Sequence, residues 1–116
     1  NALTCAAAYA ATKYLIDNDV VEHGKQMGKY LEQGLNKIKE NHEFITEVRG
    51  MGLLWALQFN SDMTPTVMPA LNEAGLLTNP MRPNAIRLMP PLTVTTEEID
   101  EAMARLETGL VAAAGG

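Results

Sequence analysis

The chain has 116 residues and a mass of 12.6 kDa, which suits one domain and leaves no room for two cores. At 47% hydrophobic and 20% charged it is not a disordered chain, and no apolar run approaches the roughly 20 residues of a membrane span. The net charge of −5 and thinly spread Lys and Arg residues exclude a nucleic-acid footprint, and a lone cysteine, Cys5, excludes an internal disulfide.

No secretory signal is visible, so a reducing cytoplasm is the expected compartment. The chain opens on Asn1-Ala2 rather than Met, which suggests a piece of a longer protein. Leu3 to Ile16 reads as a helix dense in alanine, with Thr4 as a candidate cap. Its small, apolar faces suit tight packing or an interface. Asp17-Asn18-Asp19 is a turn with ready cap residues for a second helix from about Val20 to Lys39. Val20, Gly24, Met27, Leu31, Leu35 and Ile38 recur at spacings of three and four and form its buried face. Gly24 and Gly28 are candidates for close approach to a neighbouring element.

From Ile45 the periodicity changes. Ile45 to Arg49 reads as a short strand, Gly50-Met51-Gly52 as a bend or bulge, and Leu53 to Phe59 as a covered strand. A short helix is expected at about Val67 to Ala74, with Thr66 as N-cap, Pro69 in the first turn and Gly75 at the left-handed terminal position. Leu76-Leu77-Thr78 reads as a strand, Pro80 to Asn84 as a turn, and Ala85 to Met89 as the returning strand, stopped by Pro90-Pro91. The last helix carries a capping box, Thr95 with Glu98, and a hydrophobic staple, Val94 with Ile99. Ile99, Met103, Leu106 and Leu110 continue its apolar stripe. Residues 112–116 read as a frayed tail. This order of elements is an α+β domain, with helices packed on a small, mostly antiparallel sheet.

Candidate chemistry is sparse. His23 and His42 stand far apart and read as surface histidines, and Cys5 reads as a buried, inert thiol, so no metal site is expected. Glu97, Glu98, Asp100 and Glu101 cluster at a helix N-terminus, where the helix dipole accounts for them. Arg87 interrupts an apolar strand between Ile86 and Leu88, so its side chain points to the opposite face. Two readings stay open for it: an edge-strand or ion-paired arginine, or a guanidinium that takes a planar anion. Arg49, beside glycines at a strand end, reads as a structural ion pair, and Arg82 as a solvated turn residue.

Four segments carry a family resemblance. Asn1-Ala2-Leu3-Thr4-Cys5-Ala6-Ala7-Ala8 resembles the Asn-Pro-Leu-x-Cys-Ala-Ala-Ala segment of the class III pyridoxal-phosphate aminotransferases, with Ala2 in place of the proline. Val48-Arg49-Gly50-Met51-Gly52-Leu53-Leu54 resembles their V-R-G-x-G-L element, and Gly75-Leu76-Leu77-Thr78-Asn79 their G-L-L-hydrophobic-N element. Ile86 to Thr95, followed by Glu97-Glu98-Ile99-Asp100, resembles R-L-x-P-P-L-hydrophobic-hydrophobic-T-x-E-E-I-D. Within the family the likeness is closest to the acetylornithine group; ornithine, succinylornithine and 4-aminobutyrate enzymes are near relatives.

The resemblance implies the C-terminal small domain of a fold-type I enzyme, over residues 1–111. It implies that Arg87 binds the substrate α-carboxylate, and it carries no catalytic role to Arg49. It places the cofactor-bonding lysine and the acidic partner of the pyridine nitrogen upstream of this chain. Pyridoxal 5'-phosphate is therefore expected in the full enzyme and not on this piece, which should be inactive alone. The implied partners are the large domain of the same chain, a second subunit in a homodimer, and small amino-acid and keto-acid substrates. Without the resemblance, the residues also allow an amino-acid-binding regulatory module, with Arg87 holding an effector carboxylate, or a dimerisation surface built on the first helix.

Overall fold

A computed structural model describes residues 1–115. The elements are α1 (Ala2–Asp17), α2 (Val20–Asn41), β1 (Ile45–Met51), β2 (Leu54–Phe59), α3 (Thr64–Glu73), β3 (Asn79–Arg82), β4 (Ala85–Leu88) and α4 (Thr96–Ala114). The strands form one antiparallel sheet in the order β1-β2-β4-β3. The α+β architecture is the one expected from the sequence.

One face of the sheet carries the core. Ile45 on β1, Trp55, Leu57 and Phe59 on β2, and Ile86 and Leu88 on β4 are buried there. Leu31, Leu35 and Ile38 of α2, Val67 and Leu71 of α3, and Ile99, Leu106 and Leu110 of α4 close over them. The expected apolar face of α2 is the buried one, with Met27 half-buried at its margin. Gly28 lets α2 touch backbone: a Cβ there would lie 2.6 Å from the carbonyl carbon of Gly52.

Caps and turns set the element ends. Asn1, not Thr4, caps α1; its Oδ1 accepts from the Thr4 amide at 2.9 Å. Asp19 precedes α2 in a left-handed conformation (φ 51°) and makes no side-chain cap. The expected bend at Gly50-Met51-Gly52 lies one step later. β1 runs through Met51, and a two-residue turn, Gly52-Leu53, leads to Leu54. Gly52 has φ +58°, the sign a tight hairpin needs at its first central position. Leu53 is therefore a turn residue, not the start of β2.

α3 begins earlier than expected. Thr64 opens it after Met63, and Pro65 takes the first-turn position in which a missing N–H costs nothing. Pro69 thus falls inside the helix, and the Thr66 hydroxyl donates back to the Met63 carbonyl rather than capping. At the other end Gly75 (φ +78°) is left-handed as expected. The Leu76 amide reaches Leu71 O at 2.8 Å and the Gly75 amide reaches Asn72 O at 3.0 Å, the paired bonds of a Schellman ending.

Residues 76–78 are not a strand. β3 starts at Asn79 and includes Pro80 and Arg82, where a turn was expected. β3 lies at the sheet edge, where a proline need not donate, and a register irregularity between Pro80 and Arg82 absorbs it. The turn to β4 shrinks to Pro83-Asn84. The capping box of α4 is formed on both sides, at 2.9 and 3.3 Å. Its staple residues, Val94 and Ile99, are both buried. α4 continues through Ala114, with Ala113 packed against the core, where fraying was expected. Gly116, the end of that expected tail, lies outside the described residues.

Candidate functional site

The sheet face away from the helices carries the site, and strand register composes it. Arg49 on β1 pairs with Ala56 on β2, Ala56 with Arg87 on β4, and Arg87 with Asn79 on β3. Partners across an antiparallel pair share a face. Arg49, Ala56, Arg87 and Asn79 therefore form one row across the sheet. Ile86 and Leu88, buried on the other face, anchor β4 and turn Arg87 outward.

The two arginines differ in what holds them. Arg49 Nη1 donates to Glu47 Oε2 at 2.7 Å and also to Gln58 Oε1. Its charge is matched inside the chain, as expected of a structural ion pair. Arg87 is half-buried, forms no ion pair among the described residues, and its Nε is sealed from solvent without a hydrogen-bond partner. The edge-strand reading of Arg87 does not hold, since β4 lies between β2 and β3. A hollow of about 420 Å³ opens over this row, lined by Arg49, Arg87, Met51, Leu54, Ala56 and Met81 among others. Among the described residues no lysine, aspartate or glutamate lines it. Its polar groups are thus donors without a base or nucleophile, a set that suits capture of a planar anion such as a carboxylate.

The remaining candidates lie elsewhere. All five lysines are on α1 and α2. Arg82 is exposed, as expected, but on β3 rather than in a turn. His42 is buried, 9% exposed, which corrects its reading as a surface residue. Its Nε2 donates to Glu107 Oε1 at 3.0 Å and clasps the end of α2 to α4. His23 is half-buried, and its Nε2 donates to the Val94 carbonyl at 2.8 Å. Cys5 is exposed, not buried, because α1 buries none of its residues. No group of three or more His, Cys, Asp or Glu residues is placed to hold a metal among the described residues.

The acidic cluster does what the helix dipole predicts. The Glu97 carboxyl is held below its ordinary value by its own backbone amide, and by the Thr95 and Thr96 side chains. Asp100 accepts from the Tyr30 hydroxyl at 2.8 Å, and that bond to a carboxylate raises the tyrosine's pKa. Glu98 serves the capping box, and Glu101 pairs with Arg105.

Sequence reasoning singled out Arg87 but not Ala56 or Asn79, and left Arg49 outside any site. The signal that places them together is register, which depends on the Gly52-Leu53 turn. With the bend set at Gly50 to Gly52, Arg49 would pair with Leu53 and fall on the face of Trp55 and Leu57, opposite Ala56.

Three comparisons bear on this geometry. The family model described as "Aminotransferase class-III" matches residues 1–110. The chain is 38% identical over 108 residues to acetylornithine aminotransferase of Caldanaerobacter subterraneus subsp. tengcongensis, covering 92% of this chain and 27% of that protein. It is 38% identical over 107 residues to ornithine aminotransferase of Staphylococcus carnosus, covering 92% and 26%. Among solved structures, acetylornithine aminotransferase from Elizabethkingia anophelis superposes with a TM-score of 0.86 at 34% identity, over 94% of this chain and 30% of that one. An S-selective transaminase from Arthrobacter sp. gives 0.87 at 26% identity, over 96% and 29%. The chain thus spans between a quarter and a third of the length of these relatives.

Proposed function

The chain belongs to the class-III aminotransferase family, and from that premise we propose that it is the C-terminal small domain of a pyridoxal-phosphate-dependent aminotransferase. The domain takes in residues 1–111, with α4 continuing to Ala114. Arg87 binds the α-carboxylate of the keto-acid acceptor, next to its reacting carbonyl. The observation that carries this reading is a half-buried guanidinium that lines an open hollow and forms no ion pair among the described residues. A carboxylate in that hollow can take two parallel N–H bonds from the guanidinium, which fix the substrate's orientation.

Pyridoxal phosphate supplies the carbonyl chemistry of amino transfer when bound in the full enzyme. The residues around Arg87 do not fit that cofactor's needs: the hollow has neither a lysine to bond it nor a carboxylate for its ring nitrogen. We assign those groups to the large domain of the same polypeptide, so the isolated chain is inactive and binds no cofactor. The contribution of this chain is to hold and orient substrate. The full enzyme is a cytoplasmic homodimer acting on small amino and keto acids, without nucleic-acid or membrane partners.

The substrate pair we propose is N-acetylornithine with 2-oxoglutarate, a step toward arginine. A second reading, ornithine as donor, is supported by the equal identity to an ornithine aminotransferase. Both are tested on the full-length enzyme by comparing amino transfer to 2-oxoglutarate from each donor; turnover of ornithine alone overturns the first. Arg87→Ala should lower kcat/KM for carboxylate substrates roughly 10- to 100-fold, with cofactor absorbance retained. Unchanged kinetics, or loss of the cofactor itself, overturns the role given to Arg87.

A further inference from the structure

The row that carries Arg87 also holds an anomaly in β2. Its neighbours Trp55, Leu57 and Phe59 are large and face the core, as a central strand demands. Between the two arginines, on the opposite face, the strand places only a methyl group, Ala56. Alanine is depleted in strands, where a branched or aromatic side chain supports the pleated surface better. Residues paired across strands bring their Cβ atoms to roughly 4.5–5.5 Å, so a larger side chain at 56 would stand between the stems of Arg49 and Arg87. It would fill the floor of the hollow beside the Arg87 guanidinium, whose Nε has no partner.

Arg49 cannot vacate this space easily, because Glu47 and Gln58 hold it. Leu54, next on the same face, is half exposed and leaves the hollow open on that side. The opening beside Arg87 is thus bounded by a fixed arginine and depends on the smallness of residue 56.

We infer that Ala56 is a specificity-determining residue: its small side chain is what lets a substrate carboxylate lie beside Arg87. The inference rests on the carboxylate reading of Arg87. Bulk at 56 acts against acceptors that carry the carboxylate and not against those that lack it.

The test uses the full-length, cofactor-loaded enzyme carrying Ala56→Val or Ala56→Leu. Two acceptors are compared: 2-oxoglutarate and an unbranched aldehyde without a carboxylate. The ratio of their kcat/KM values should fall roughly ten-fold or more, further for Leu than for Val, and through KM rather than kcat. General damage to the fold lowers both acceptors together and leaves the ratio in place. An unchanged ratio in Ala56→Val, or loss of cofactor binding in that variant, overturns the inference; if Ala56→Leu does not fold, Ala56→Val decides. Arg87→Ala, measured beside them, separates the two claims. A ratio that falls in Arg87→Ala but not in Ala56→Val removes only the role of Ala56. A ratio that moves in neither removes the carboxylate reading as well.

Discussion

Arg49 and Arg87 stand in one row, one residue apart across the sheet, yet only one is available to a ligand. The difference lies in neighbours: Glu47 and Gln58 occupy the first, and nothing in the described residues pairs with the second. The sequence pointed to Arg87 because a charged residue broke an apolar strand, but composition alone left its partner open. Glu97 shows the same local logic with a readout in pH. Its carboxyl titrates lower in the folded chain than in the unfolded one. Its contribution is therefore complete above the unfolded pKa and is lost as pH falls through the lower, folded value. Glu97→Gln should lower Tm slightly at neutral pH. That difference should vanish in acid below both values, as calorimetry across pH would show.

At the scale of elements, the close approach of α2 to the β1-β2 hairpin makes a sharp prediction. Gly28→Ala gains helix propensity of roughly 1 kcal/mol but drives a Cβ into the Gly52 backbone, which cannot swing aside. The net effect should be a destabilisation of about 2 kcal/mol in urea unfolding. Gly34 on the same helix is the contrast: a Cβ there meets only the flexible end of Met103, at 3.0 Å. Gly34→Ala should stabilise the chain by up to about 1 kcal/mol. Helices with clear periodicity or caps, α2 and α4, were legible to within two or three residues at most ends. The misplacements fell at Pro65 and Pro69, at Pro80, and at Gly50 to Gly52. There several residues of the right chemistry stood close together, and tertiary contacts chose among them. Thr64 is an example: its amide and hydroxyl bond Pro83 O and Arg82 O, so the β3-β4 turn sets where α3 begins.

At the scale of the whole molecule, α1 stands apart. The radius of gyration is 16.3 Å, against about 13.4 Å for a compact chain of this length. The accessible surface is 7213 Å², against roughly 6,200 Å² from mass scaling. None of the residues of α1 is buried, and Leu15 is its one half-buried side chain. Leu3, Tyr9, Tyr14 and Ile16 are all more than half exposed. Removing residues 1–17 should therefore change the urea-unfolding free energy of the remainder by no more than about 1 kcal/mol. Loss of cooperative unfolding in the truncated chain would show that α1 supports the core.

Local physics read from the residues sufficed for the fold class, for every element but β3, for the buried stripe of α2 and the capping box of α4, and for the face to which Arg87 points. Each of these depends on short-range spacing, which side-chain periodicity and cap chemistry express directly. The tertiary structure alone decided that Arg49, Ala56, Arg87 and Asn79 share a row, that His42 is buried against Glu107, and that Cys5 is exposed. Those outcomes depend on register and on which faces find a partner. A single residue's shift in a turn reverses every side chain of a strand, so they are properties of the assembled sheet and not of any segment within it.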